Sequence, residues 1–211
     1  MTKIKVLIFD IGGVLQLGRY SHHPVDGHRL LGIHRTIAIK LNLSLDQYFD
    51  AIDTIYAKSI EGKVSEKETL KIMAENLKTT PSKLKTLFIK TYKQHFKFNK
   101  LLFRQALKFK KHGYKISILS DQWYLSKRAL VSKSFIKKFN PSIISCDVGM
   151  RKPNSKIYKL ALKKIKTPAK NCIFIDNQEW NIKPAKKLGM KAILFKNNKQ
   201  LFKELEEFGV K

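Results

Sequence analysis

A short apolar run near the start of the chain, residues 6–9, ends abruptly at a carboxylate, Asp10, and two glycines, Gly12 and Gly13, follow. A continuous apolar run of this length is typical of a strand buried on both faces, as in the centre of a parallel sheet. Paired glycines let the backbone turn sharply and approach a ligand. Asp is a common turn residue, but here we predict Asp10 at the carboxyl end of a central strand, where open α/β sheets bind ligands.

The size and cysteine content of the chain favour an ordinary globular protein. Its 211 residues suffice for one medium domain, with or without an insert, whose core needs no disulfide or metal. Cys146 and Cys172 both lie in apolar, strand-like segments, which is typical of buried, reduced thiols. With no signal peptide and no long apolar span in the sequence, we expect a cytoplasmic protein that does not enter membranes.

The net charge of +27, from 43 Lys and Arg against 16 Asp and Glu, favours an anionic partner. Only six of these cations are arginine, the residue that specific base and phosphate recognition favours. The lysines are scattered over most predicted helices and form no single block. We therefore expect non-specific attraction to RNA, or to an anionic substrate, in preference to a specific nucleic-acid site.

The order of predicted elements indicates an α/β core with a helical insert. The predicted strands span residues 4–10, 115–119, 141–146, 172–175 and 191–195. Because helices separate the later strands, we predict a parallel sheet in a three-layer, Rossmann-like arrangement. The stretch between residue 16 and about residue 99 contains no convincing strand, and capping boxes at Ser44 and Ser65 predict helix starts there. We place the core at residues 1–16 and 100–211 and an all-helical domain at 17–99.

Three further helices are predicted with defined positions. One continuous Lys-rich helix is expected at residues 125–139, and Pro81 and Pro184 are each expected in the first turn of a helix. Trp123, Tyr124 and Trp180 are predicted to pack at the rim of the site.

Polar side chains recur where the predicted strands end. Asp10 follows the first strand, Ser120 and Asp121 the second, and Asp176 the fourth, while Lys152 lies just past the third. The carboxyl ends of parallel strands meet at one edge of a sheet, so these groups are expected to converge. Two carboxylates and a backbone carbonyl suit Mg²⁺, a hydroxyl and an ammonium suit phosphoryl oxygens, and an aspartate can act as a nucleophile.

Four segments resemble the motifs of the haloacid dehalogenase (HAD) superfamily: F-D-I-G-G-V-L at 9–15, I-L-S-D at 118–121, G-M-R-K-P at 149–153 and F-I-D-N at 174–177. They most resemble the small sugar-phosphate phosphatases and the phosphatase domain of soluble epoxide hydrolases. The resemblance implies a sheet order of 5-4-1-2-3, with strands numbered along the chain, and a first-type cap in the helical insert.

The resemblance also implies roles for individual residues. Asp10 would be the nucleophile, Ser120 and Lys152 would hold the phosphate, and Mg²⁺ would bind Asp10, Asp176 and the carbonyl of Gly12. The residues expected around the substrate phosphate are Gly12, Gly13, Ser120, Asp121 and Lys152.

Two positions depart from the family pattern. Gly12 stands where the family has an aspartate that protonates the leaving group, a loss that typically costs ~10²–10⁴ in rate. Some members of the sugar-phosphatase subgroup also have Gly there, and such an enzyme would favour leaving groups that need little protonation, such as a sugar attached through its anomeric oxygen. Asn177 replaces a usual carboxylate, which would weaken Mg²⁺ binding, and Glu179 is spaced to compensate. His22 or His23 could serve as a substitute acid or contact the substrate, or both could belong to a solvated loop.

These observations predict a Mg²⁺-dependent hydrolase of a small phosphorylated metabolite, acting through an aspartyl-phosphate. The alternative is a catalytically weakened HAD-fold protein that binds RNA or another acidic partner. Gly12 and Asn177 favour that alternative, and it is opposed by the intact Asp10, Ser120, Lys152 and Asp176. A dehalogenase would keep the nucleophile but has no use for Asp176 as a metal ligand. The sequence indicates neither the natural substrate nor the oligomeric state.

Overall fold

A computed structural model of the chain describes residues 3–18 and 31–211. Its strands are β1 (Val6–Phe9), β2 (Gln16–Gly18), β3 (Phe96–Phe98), β4 (Lys115–Ser120), β5 (Ser142–Ile144), β6 (Cys172–Asp176) and β7 (Lys191–Leu194). Five of them form a parallel sheet in the order β5-β4-β1-β6-β7, with β1 at the centre. This order is the predicted 5-4-1-2-3, so the α/β fold with a parallel sheet is confirmed.

Helices connect and cover the strands. Between β2 and β3 the chain forms α1 (Leu31–Lys40), α2 (Leu45–Ile60), α3 (Glu66–Asn76) and α4 (Pro81–His95). The later helices are α5 (Lys100–Lys111), α6 (Tyr124–Leu130), α7 (Lys133–Ile136), α8 (Ser145–Val148), α9 (Ser155–Ile165), α10 (Glu179–Lys187) and α11 (Asn198–Glu207). The predicted capping box opens α2, since Ser44 and Gln47 each accept the other's backbone N–H. Among the described residues, no helix has both the length and the apolar character needed to cross a bilayer.

Two strands lie where the sequence predicted none. β2 and β3 form an antiparallel pair at the point where α1–α4 join the sheet, with Gln16 opposite Phe98. Each strand has three residues, which is too short for the alternation of apolar and polar residues that identifies a strand in a sequence.

Three other sequence predictions are corrected. The expected helix at residues 125–139 is two helices, because the backbone is extended at Val131 and Ser132 caps a new start at α7. Cys146 belongs to α8, since β5 already ends at Ile144. Pro184 lies in the interior of α10, because that helix begins five residues earlier, at Glu179.

The core joins the helices α1–α4 to the sheet. Side chains of β1 alternate between two hydrophobic clusters, with Leu7 and Phe9 in one and Val6 and Ile8 in the other. The cluster that contains Phe9 also contains buried residues of α2, α3 and α4, and α4 packs against α6. One continuous apolar core therefore holds the helical segment and one face of the sheet together.

The turn after α2 approaches α8 so closely that it requires glycine. Gly62 has a φ of +65°, and a Cβ there would lie 2.2 Å from the carbonyl oxygen of Cys146. Gly113 is a matched control, since its φ is +89° but its Cβ would meet no atom within 4 Å. Both alanine variants incur the cost of a left-handed backbone. We expect Gly62→Ala to lower the free energy of unfolding by about 1–3 kcal/mol more than Gly113→Ala, measured by urea denaturation. Equal losses of unfolding free energy would mean that α8 moves away from the new side chain without destabilising the fold.

His34 is buried in α1, and its ionisation opposes folding. Its Nδ1 lies 2.9 Å from the Tyr48 hydroxyl, and burial lowers its pKa from 6.5 to about 4. Between these values the unfolded chain binds a proton that the folded chain does not, so the stability from this residue falls as the pH falls.

We expect acidification from pH 7 to 4 to reduce the stability of the wild type, relative to His34→Gln, by up to about 3 kcal/mol. The quantity to compare is the difference in unfolding free energy between the wild type and His34→Gln at each pH, because the two proteins share every other titrating group. A difference that does not change with pH would contradict a buried, neutral His34.

Candidate active site

Two carboxylates and one ammonium meet at the carboxyl ends of the central strands. Asp10 follows β1, and Asp176 ends the neighbouring strand β6. Lys152 Nζ lies 3.2 Å from Asp10 Oδ1 and 2.5 Å from Asp176 Oδ2. All three side chains are buried. The structure thus brings together residues that are up to 166 positions apart in the sequence.

Lys152 reaches this position from the loop after α8. Asp121, which follows β4, accepts the backbone N–H of Lys152 at 3.1 Å. The ammonium lies 5.5 Å from the centroid of the Phe174 ring, in β6. Asp121 therefore fixes the backbone of the loop, and its carboxylate adds a third negative group near Lys152.

Neighbouring side chains hold the two strand-end acids in place. Asp176 Oδ1 accepts the backbone N–H of Gln178 at 2.8 Å, and its Oδ2 accepts from Asn181 at 3.1 Å in addition to Lys152. Ser120 is fully buried at the end of β4, contacts Asp10 and accepts a hydrogen bond from Gln122. Ser120 does not itself line the cavity described below.

The electrostatics of the cluster favour an additional cation. Burial raises the pKa of Asp10 to about 7, although Lys152 acts against this shift. Burial likewise raises the pKa of Asp121. The pKa of Lys152 is raised despite burial, because Asp10 and Asp176 stabilise its ammonium. One ammonium facing three acidic groups leaves an excess of negative charge when the acids are ionised.

A cavity of about 220 Å³ opens above these groups. Its floor includes Asp10, Gly12, Gly13, Asp121, Lys152 and Asn177. The rest of its wall includes Tyr56 and Ile60 of α2, Tyr92 of α4, Phe96 of β3, and Trp123. Among the described residues, three lining side chains carry a buried amide oxygen without a hydrogen-bond partner: Gln122, Asn177 and Asn181. Asp10 Oδ1 also accepts no hydrogen bond, although it pairs with the Lys152 ammonium. The cavity therefore presents acceptors to a ligand that brings positive charge or hydrogen-bond donors.

The residues present fit a magnesium ion. Carboxylate, amide and carbonyl oxygens are the ligands that Mg²⁺ prefers. Asn177 Oδ1 is buried without a hydrogen-bond partner, and Asp10 Oδ1 has only the Lys152 ammonium near it, at 3.2 Å. The expected magnesium ligands are only two carboxylates and one backbone carbonyl. Within residues 3–18 and 31–211, no group of three or more His, Cys, Asp or Glu side chains is arranged to hold a metal.

Several residues singled out in the sequence lie elsewhere. His22 and His23 fall outside the described residues. Glu179 is exposed, pairs with Lys183 at 3.5 Å and does not line the cavity, so it does not compensate for the amide of Asn177. Trp180 lies at the rim, 47% exposed, whereas Trp123 is 1% exposed and forms part of the inner wall.

Sequence reasoning missed the two tyrosines of the cavity wall. Tyr56 and Tyr92 stand in ordinary helical stripes of apolar and aromatic residues in α2 and α4. Such stripes usually form the core, so no signal in the sequence distinguished these two side chains.

Comparison with known families decides the family of the chain. The family model of haloacid dehalogenase-like hydrolases matches residues 4–189. The chain belongs to this family. A HAD family enzyme of Bacteroides thetaiotaomicron has the same fold, with a TM-score of 0.74 at 20% identity over 95% of this chain and 99% of that one. A structure of that enzyme in complex with magnesium and inorganic phosphate superposes with a TM-score of 0.71 at 21% identity, over 94% of this chain and 99% of that one.

Curated relatives of this HAD hydrolase are longer proteins. Bifunctional epoxide hydrolase 2 of Sus scrofa is 26% identical over 219 residues, which covers 97% of this chain and 38% of the relative. The corresponding protein of Rattus norvegicus is 32% identical over 114 residues, or 52% of this chain and 21% of the relative. The chain therefore spans less than two fifths of the length of these relatives.

Proposed function

We propose that this HAD hydrolase is a phosphatase that cleaves small phosphomonoesters, of the sugar-phosphate type, with the help of Mg²⁺. The observation that carries the proposal is the buried Lys152 ammonium between Asp10 and Asp176 on the floor of the cavity. An ammonium held in this way offers a fixed positive charge to phosphoryl oxygens. The complex of the Bacteroides thetaiotaomicron enzyme with magnesium and phosphate supports the proposal by analogy of fold.

In this proposal Asp10 is the nucleophile. One of its carboxylate oxygens forms a bond to phosphorus as the bond to the leaving-group oxygen breaks, and water then hydrolyses the aspartyl-phosphate. Lys152 contacts the phosphoryl oxygens, and Asp121 keeps Lys152 in place. Ser120, which is buried beside Asp10 and does not line the cavity, would reach these oxygens only after a small movement of its side chain. Mg²⁺, held by Asp10, Asp176 and the Gly12 carbonyl, would supply further positive charge to the transferred group.

The helical segment serves as the cap in this proposal. Residues 17–99 would form the cap and residues 1–16 and 100–211 the catalytic core. The aromatic wall over the cavity excludes water from the reacting groups and selects the leaving group. The proposed partners are a small phosphorylated substrate and, through charge alone, nucleic acid.

The test is phosphate release from an aryl phosphate and a panel of sugar phosphates, with added Mg²⁺ and with a chelator. We expect turnover that falls more than about 100-fold when the metal is removed. Absence of turnover, together with salt-sensitive retention on RNA, would favour a basic binding module. Metal-independent halide release from a haloacid would favour a dehalogenase.

A further inference from the structure

Three polar aromatic side chains on the cavity wall are hydrogen-bonded to one another. The Trp123 indole Nε1 donates to the Tyr92 hydroxyl at 2.8 Å. The Tyr92 and Tyr56 hydroxyls lie 3.4 Å apart, and either can be the donor. The group contains three donor hydrogens but only two hydrogen bonds. Whichever way the two hydroxyls are oriented, one O–H therefore has no acceptor within the group.

The unused O–H belongs to a side chain that lines the cavity. Tyr56 and Tyr92 both line it, as do Asp10 and Lys152. Neither hydroxyl has another partner among residues 3–18 and 31–211. The cavity, at about 220 Å³, is smaller than the roughly 300–1,000 Å³ of ordinary ligand pockets. A small ester whose phosphate contacts the floor of so small a cavity therefore has its leaving group close to the residues of this wall.

The floor provides no donor for that leaving group at the usual position. A Cβ at Gly12 would meet no atom within 4 Å, so the space where the family's aspartate would lie is open. A departing oxygen gains negative charge as its bond to phosphorus breaks, and a hydrogen bond to it strengthens as that charge develops.

We propose that the Tyr56–Tyr92 hydroxyl pair donates a hydrogen bond to the leaving-group oxygen, in place of the carboxyl group that Gly12 lacks. This inference rests on the proposed function. The pair does not transfer its proton: the P–O bond breaks, the leaving group departs as an oxyanion that accepts the hydrogen bond, and it later takes a proton from water. The substrates are therefore esters whose leaving groups are stable as oxyanions, such as glycosyl, enol or aryl phosphates.

The hydroxyl pair does not transfer a proton to the leaving group, because the pKa values of the two phenols are too high. Burial raises the pKa of Tyr92 above its ordinary value. Burial also raises the pKa of Tyr56, well above its ordinary value. A buried phenol of this kind stabilises an oxyanion through a hydrogen bond but does not protonate it.

The experiment measures kcat/KM for phosphomonoesters whose leaving groups range from activated phenols to simple alcohols. The variants are Tyr56→Phe, Tyr92→Phe and the double variant, with Tyr48→Phe as the control. Tyr48 carries a buried hydroxyl in the same helical segment, but it pairs with His34 and does not line the cavity. Competitive inhibition by inorganic phosphate, which has no leaving group, reports on the folding of each variant.

We expect the double variant to lose about 10- to 100-fold on leaving groups of high pKa and less than about 3-fold on activated phenols, so that the rate depends more steeply on leaving-group pKa. Each single variant keeps one hydroxyl on the wall, so the single losses are small and do not add up to that of the double variant. Tyr48→Phe should match the wild type in this dependence.

An unchanged dependence in the double variant would overturn the role of the hydroxyl pair and leave the phosphatase proposal standing. Losses that are equal for all esters would also overturn it, because they would indicate a structural role. If the wild type hydrolyses none of the esters in the presence of Mg²⁺, both proposals fail.

Discussion

Replacing Asp10 with asparagine is expected to lower the rate of phosphate release by at least about 10⁴-fold, because the amide lacks the nucleophilic oxygen. The side chain keeps its shape, and Lys152 keeps Asp121 and Asp176 as neighbours. We expect no loss of stability. Burial raises the pKa of Asp10 to about 7, so at pH 8 the buried, ionised carboxylate of the wild type opposes folding, and the neutral amide does not. Steady-state kinetics and urea denaturation at pH 8 measure the two effects.

Asp121→Asn is the matched control for Asp10→Asn. It removes one charge from the same cluster, and the asparagine oxygen can still accept the backbone N–H of Lys152 that Asp121 accepts. We expect a loss of less than about tenfold, as for a group that positions another. Comparable losses in the two variants would show that the net charge of the cluster matters and that Asp10 has no special role.

Gly12→Asp is expected to raise kcat for phosphate esters of simple alcohols by about 10²- to 10⁴-fold, the usual contribution of a general acid. The structure has room for the change, since a Cβ at this position meets no atom within 4 Å. The acids Asp10 and Asp176 lie nearby, and their negative charge would favour the protonated form of the new carboxyl group.

Gly12→Asn distinguishes acid catalysis from the effect of filling the cavity with a larger side chain. The amide fills the same space but has no acidic proton, so no gain is expected with alcohol esters. Esters of activated phenols, which need no protonation, should respond little to either variant. Equal gains from Asp and Asn would indicate that the new side chain acts by filling the cavity.

The sheet and its polar edge could be predicted because their signals are local. The apolar run at residues 6–9 and its terminal Asp10 identify a buried strand, and polar residues recur at the ends of later strands. The strand order and the Mg²⁺ ligands were expected from the family resemblance, and the order is confirmed, whereas the ligands remain a proposal.

The cavity wall could not be predicted, because its members come from three distant segments. Tyr56, Tyr92 and Trp123 meet only after α2, α4 and the loop after β4 have packed together. The break at Val131 was missed for a similar reason. Its segment has helical composition, and only the tertiary structure shows that the chain is extended there.

The continuous apolar core of the helical segment and the sheet makes the two parts a single cooperative unit. Phe88 of α4 packs edge-on against Trp123, with ring centroids 4.8 Å apart, and both belong to the cluster that reaches Phe9. Pulling the two parts apart would hydrate this aromatic surface, at roughly 25 cal/mol for each Å². We therefore expect them to melt in one transition, and a ligand that binds between them to raise the melting temperature of both.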